Sequence, residues 1–205
     1  MAKRRDIGDD NKLNDLKVSI AGLDHVGRLV AEQLAALGVG RLILVDSAVI
    51  TRRRQQLDGY SAEMIGQRRT AAAAQRCHEI NPGLDITLHA RPTHRSWSGS
   101  NVVVCSPGES RRMLRERPAD WNGLIATWVV RGRFASVITA ADRRALRKLI
   151  RNFSNPNRAG SQPPVPVATV LAGLLVHVIA KEKNANASDQ RLRVDLRTRA
   201  VTVGS

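Results

Sequence analysis

Aromatic side chains make up 3% of this chain. Whatever core it builds must therefore be filled with aliphatic residues and alanine, a filling that suits a buried parallel sheet. Cysteine is scarcer still. Cys77 and Cys105 stand alone, in no C-x-x-C pair, which excludes a disulfide framework and a four-cysteine zinc site and makes a reducing, cytoplasmic setting the expectation. No run approaches the roughly eighteen uninterrupted apolar residues of a membrane span, so no membrane association is expected. Met1 to Asp10 is basic and then acidic, without the apolar centre of a secretory leader. His78, His89, His94 and His177 show no metal-ligand spacing, and surface or core positions are expected for them. Long polar linkers and internal repeats are also missing, so one domain is expected over residues 16–205, after a flexible lead-in at 1–15.

What is abundant is positive charge. The net charge is +15, carried mostly by arginine, whose planar fork grips phosphate and carboxylate at two points. An acidic partner is expected: a nucleotide, a nucleic acid or an acidic protein face.

The hydrophobic pattern begins with a strand at Leu16 to Ala21, a glycine-bearing turn, and a helix over Val26 to Leu37 with apolar residues at helical spacing. Gly38 and Gly40 close that helix, and Arg41 to Asp46 reads as a second, parallel strand ending in an acid. Thr51 to Ser61, with three successive arginines, reads as an exposed loop, and Ala62 to Ile80 as a helix stopped by Asn81, Pro82 and Gly83. Strands follow at Leu84 to Ala90 and Asn101 to Cys105, then a helix at Glu109 to Arg117 and a hairpin of Leu124 to Val130 with Phe134 to Thr139. Ala141 to Phe153 is basic and amphipathic, and Ser154 to Pro166 is rich in turn residues. Val167 to Ala180 is apolar nearly all round, which predicts a helix buried on more than one side. Leu192 to Leu196 and Ala200 to Val203 read as a terminal hairpin. The expected fold is α/β: a Rossmann-like, mainly parallel sheet flanked by helices, turning antiparallel toward the C-terminus.

A strand, a glycine turn, a helix and a second strand ending in an acid form a mononucleotide-binding crevice. Amides at the helix start bind phosphate, small residues let the backbone approach, and the acid accepts hydrogen bonds from ribose. Gly22, Gly27 and Asp46 hold those places. Asp24 stands where bare backbone is expected, and two unit charges about 4 Å apart repel by roughly 4 kcal/mol at an effective dielectric of 20.

Lys17 to Asp46, with its GVGRL segment at Gly38 to Leu42, resembles the opening of the ThiF, MoeB and ubiquitin-activating E1-like superfamily. Met64 to Pro82 is similar to that family's I-G-x-x-K helix with its terminal I-N-P, and the late apolar helix and final strands are similar to the family's closing elements. The resemblance implies ATP and magnesium as ligands and transfer of AMP to the C-terminal carboxylate of a ubiquitin-like or sulfur-carrier protein. It places Gly22 and Gly27 at the phosphates, Asp46 at the ribose and Arg69 at the family lysine. Arg53 and Arg54, with Arg52, are the candidates for the family's loop arginine, whose usual position falls on Gln56. The D-x-x-D loop after the fourth strand, whose second acid holds magnesium, is replaced by Cys105, Ser106, Pro107 and Gly108, with no acid before Glu109. The expected protein is thus an E1-like subunit with a degenerate adenylation site, working in a homo- or heterodimer as one half of a two-subunit enzyme does. An active adenylyltransferase using the arginine run and Glu109 is the alternative. An arginine-rich nucleic-acid scaffold is a third, disfavoured by the scarcity of stacking aromatics.

Overall fold

The computed structural model describes residues 13–131, 134–140, 163–182, 191–195 and 201–204. The first unit is β1 (Lys17–Ala21), α1 (His25–Ala36) and β2 (Arg41–Val45). Then come α2 (Arg52–Asp58), a 3-10 turn at Ala62–Met64, α3 (Arg69–Ile80), β3 (Asp85–His89), β4 (Val102–Cys105) and α4 (Ser110–Arg115). The last elements are β5 (Leu124–Arg131), β6 (Phe134–Ala140), α5 (Val165–Glu182), β7 (Arg191–Asp195) and β8 (Val201–Gly204).

All strands join one 8-stranded sheet in the order β3-β2-β1-β4-β5-β6-β7-β8. Pairing is parallel from β3 through β5 and antiparallel from β5 through β8. The chain reverses its direction of sheet growth between β1 and β4, the switch point at which open α/β sheets leave a crevice beyond their strand ends. Alternation along each strand divides the core. Val18, Ile20, Leu42, Leu44, Val102 and Val104 face α1, α3 and α5, while Ala21, Ile43, Val45, Val103 and Cys105 face Trp97 and Met113 of α4. The scarcity of aromatics leaves the first layer to aliphatic packing, with Trp128 its one large ring among the described residues.

Three expectations are corrected. The arginine run is a helix, not a loop: Thr51 caps it by accepting from the Arg54 amide, and Gly59, at φ +71°, closes it in the left-handed conformation. The helix expected from Ala62 begins only at Arg69, because Gly66 at φ +91° breaks the path behind the 3-10 turn. And α5 buries one face, not several, since Thr169, Val170, Gly173 and His177 are exposed. The basic stretch at 141–153 lies outside the described residues. Leu13, at the edge of the expected lead-in, packs against the core and accepts hydrogen bonds from the amides of Leu16 and Gly40.

Candidate functional site

The first β–α turn is built by close backbone approach. Gly22 has φ +89°, and a Cβ there would lie 2.0 Å from the Ser106 hydroxyl. A Cβ on Gly27 would lie 2.0 Å from the Gly22 carbonyl oxygen, so the helix start sits directly on the turn. The Gly22 amide donates to Val45 O and the Ser106 amide to Ala21 O, which wedges the turn between the ends of β2 and β4.

Asp24 follows that turn as the N-cap of α1. Its Oδ1 accepts from the amides of Val26 at 3.1 Å and Gly27 at 3.2 Å. These are the donors that a nucleotide phosphate uses at such a helix start. Burial pushes the Asp24 carboxyl up to about 6, against the pull of the Gly27 amide. His25 does not neutralise it. The His25 ring is buried beside Arg28 and Gly59, and burial holds its pKa below the usual imidazole value.

Asp46, at the end of β2, is held by two backbone amides. Its Oδ2 accepts from the Leu23 amide at 2.8 Å and its Oδ1 from the Ala48 amide at 2.7 Å. Arg69, the first residue of α3, reaches Asp46 at 3.5 Å and makes a close ion pair with Asp58, which is 0% exposed. The Leu23 carbonyl accepts from the Tyr60 hydroxyl at 2.9 Å, so the backbone of this one residue is held on both sides. Arg28 donates to the Asp58 carbonyl at 2.9 Å and bonds Glu32.

The structure therefore brings Gly22, Gly27, Asp46 and Arg69 together. Arg53 and Arg54 lie on α2: Arg53 is exposed, and Arg54 reaches Asp58, the partner of Arg69, at 3.9 Å. Asp58 and Tyr60 escaped the sequence reading, although an isolated acid behind an arginine run is a signal for an internal ion pair. Beyond β2, β3 and β4 a cavity of about 400 Å³ is lined by Asp46, Arg91, Glu109, Arg112 and Arg115, among others. Glu109 also lies against the glycine turn, its Cγ 3.4 Å from the place of a Gly22 Cβ. Burial raises the Glu109 carboxyl above its usual range. Cys77 and Cys105 are buried, and burial pushes the Cys77 thiol up to about 12 and raises that of Cys105 as well. Neither carries the thiolate that a nucleophile needs.

A model of the ThiF family matches residues 2–162. The chain belongs to the ThiF family. Among curated relatives, ubiquitin-like modifier-activating enzyme 5 of Oryza sativa subsp. japonica is 32% identical over 79 residues, 38% of this chain and 18% of that enzyme. The Drosophila sechellia enzyme is 30% identical over 83 residues, 40% of this chain and 20% of its own length. The matched part thus spans about a fifth of these relatives. Among solved structures, PaaA aligns with a TM-score of 0.75 at 15% identity, over 96% of this chain and 74% of its own. Escherichia coli MccB with ATP aligns with a TM-score of 0.73 at 16% identity, over 96% and 65%. At such identity the likeness is one of fold, and the mainly parallel sheet with an antiparallel end is the ThiF-family architecture.

In this ThiF-family chain the Val26 and Gly27 amides of α1 bond Asp24, Ser106 and Glu109 lie beside the glycine turn, and each oxygen of Asp46 accepts one amide. Among the described residues no group of three or more His, Cys, Asp or Glu is placed to hold a metal.

The cap also makes stability depend on pH. A carboxyl whose folded value of about 6 lies above its ordinary 3.8 is protonated more readily in the folded state. Its contribution is therefore lost as pH rises from about 4 through 6, by at most about 3 kcal/mol. Asparagine keeps the cap acceptor without the charge. In urea titrations, Asp24→Asn should gain stability relative to wild type between pH 4 and 7, and a difference that stays flat would show that Asp24 titrates as a free carboxyl.

Proposed function

We propose that this chain is a non-adenylating ThiF-family subunit, acting in the cytoplasm as one half of a dimer within a system that activates the terminal carboxylate of a ubiquitin-like or carrier protein. The observation that carries the proposal is Asp24 seated on the Val26 and Gly27 amides. A triphosphate approaching α1 meets a carboxylate instead of free donors, and the cation nearest to it, Arg69, is committed to Asp46 and Asp58. Phosphoryl and adenylyl transfer rest on positioned positive charge, so a crevice whose charge is internally balanced has little to offer the reaction.

Calorimetric titration of ATP with and without magnesium tests this. Wild type should bind weakly or not at all, and Asp24→Gly should bind at least tenfold more tightly, because removing a charge about 4 Å from a phosphate relieves up to roughly 4 kcal/mol. Unchanged binding in the variant would end the explanation.

One observation favours a second reading, an active but divergent adenylyltransferase. Glu109 borders both the glycine turn and the Asp46 cavity, where an acid could serve in place of the replaced loop. That reading requires ATP–pyrophosphate exchange in the presence of a carboxyl-terminal carrier protein.

A further inference from the structure

The arginine run lies on helix α2, where Arg54 turns toward Asp58 while Arg52 and Arg53 are exposed. Its surroundings fit another use. The chain between β2 and α3 has a small core of its own, formed by Ile50, Tyr60, Met64 and Ala72. Asp58 is turned inward to Arg69, and Gln55 donates to the Tyr60 carbonyl at 2.7 Å, which fixes α2 by its inner side. Its outer side contributes nothing visible to the fold.

On that outer side Arg53 and Leu57 stand four residues apart, neighbours along a helix. Leu57 is 47% exposed, and the flanking chain exposes Val49 at 43% and Ile65 at 40%. Single exposed aliphatics are ordinary on any surface. Here three of the eight large exposed apolar residues described fall within residues 49–68, a cluster in sequence around α2. The same stretch carries four arginines against two acids. Asp58 is buried in its ion pair, which leaves Glu63 as the exposed acid. No ion pair is described for Arg52, Arg53 or Arg68. Arg52 and Arg53 also sit in the first turn of α2, where cations oppose the helix dipole.

We propose that the outer face of α2, with Arg52, Arg53 and Leu57, is a docking surface for a protein segment that combines acidic residues with an apolar side chain. Arginine is enriched at interface centres, and covering a half-exposed leucine beside it removes apolar surface from water. An acidic segment supplies the charge that the chain itself withholds, and Leu57 is the side chain it would cover. The inference rests on the partner-subunit reading above and names the surface that such a subunit would use.

The test is titration of the full-length, ¹⁵N-labelled chain with a synthetic peptide alternating glutamate and leucine. An all-glutamate peptide, a lysine–leucine peptide and a single-stranded oligonucleotide serve as comparisons. Saturable shifts centred on residues 49–68 are expected with the glutamate–leucine peptide alone. Arg53→Glu and Leu57→Ser, each first shown to be folded by circular dichroism, should weaken that binding about tenfold or more, as loss of interface-centre residues does. The proposal is overturned by no shifts at millimolar peptide, by shifts centred elsewhere, by variants that bind as wild type does, or by equal binding of the all-glutamate peptide or the oligonucleotide. The last outcome would mark a general polyanion surface. ATP titration of the same samples keeps the two proposals apart. Tight ATP–magnesium binding by wild type would overturn the closed crevice and leave the peptide result untouched, while failure of the peptide leaves the ATP result untouched.

Discussion

Arg69→Met should cost the folded chain about 3–5 kcal/mol in chemical denaturation at pH 7, as removal of one partner from a buried ion pair does. Arg69 is 7% exposed, and the two carboxylates it serves, Asp46 and Asp58, are 5% and 0% exposed. Methionine fills part of the space but leaves two buried acids facing each other with little compensation. Asp46 would keep its two amide donors, so the larger part of the loss should come from Asp58. Arg69→Lys should fall between the two, because one ammonium cannot span both acids as the planar guanidinium does. A loss under about 1 kcal/mol at pH 7, the level of an exposed pair, would mean that the three groups are not joined in solution.

The second large effect belongs to Gly27. Intrinsic propensity favours Gly27→Ala by about 1 kcal/mol, since alanine is the better helix former. The structure predicts the opposite sign. The new methyl would meet the Gly22 carbonyl at 2.0 Å and its carbon at 3.1 Å. Both atoms belong to backbone, and Gly22 has no easy retreat because its amide is bonded to Val45 O. Overpacking of this kind costs about 1–3 kcal/mol or more. Gly173→Ala supplies the comparison. It lies in the exposed face of α5 with nothing within 4 Å of a new Cβ, so propensity alone acts there and the variant should gain up to about 1 kcal/mol. Thermal denaturation of the pair should move the midpoint in opposite directions, and a gain at Gly27 would show that α1 does not rest on the turn.

How much of this was readable beforehand depended on the range of the interactions. The β1–turn–α1–β2 unit came through because apolar spacing, two glycines and a terminal acid are local signals. The terminal hairpin did so for the same reason. The helical character of the arginine run is encoded too, in Thr51 and Gly59 at its two ends, although its run of charge is equally a pattern of exposed loops. Asp24 was recognised as a misplaced charge in a phosphate site. Its capping role was equally available, since Asp before an apolar-periodic run is a helix-start signal. The ion pairs of Arg69 and the hydrogen bond from Tyr60 to Leu23 were out of reach, because they depend on how the excursion between β2 and α3 folds back over the turn. The burial of α5 was overestimated, because composition gives the apolarity of a helix but not the number of neighbours available to cover it.

The doubly held backbone of Leu23 constrains which sequences lie within mutational reach of this one. Its amide is satisfied by Asp46 and its carbonyl by Tyr60, so groups at the crevice also lock the turn that shapes it. Asp24→Gly alone frees two amides but leaves Arg69 and Asp46 tied to other work. Loosening Arg69 by itself passes through a chain several kcal/mol less stable, out of a usual total of about 5–15. Variation at Asp24 is thus open to single steps, whereas Arg69 and Asp58 can change without that cost only together, so neighbouring sequences should differ in what the α1 amides hold well before they differ in what Arg69 holds.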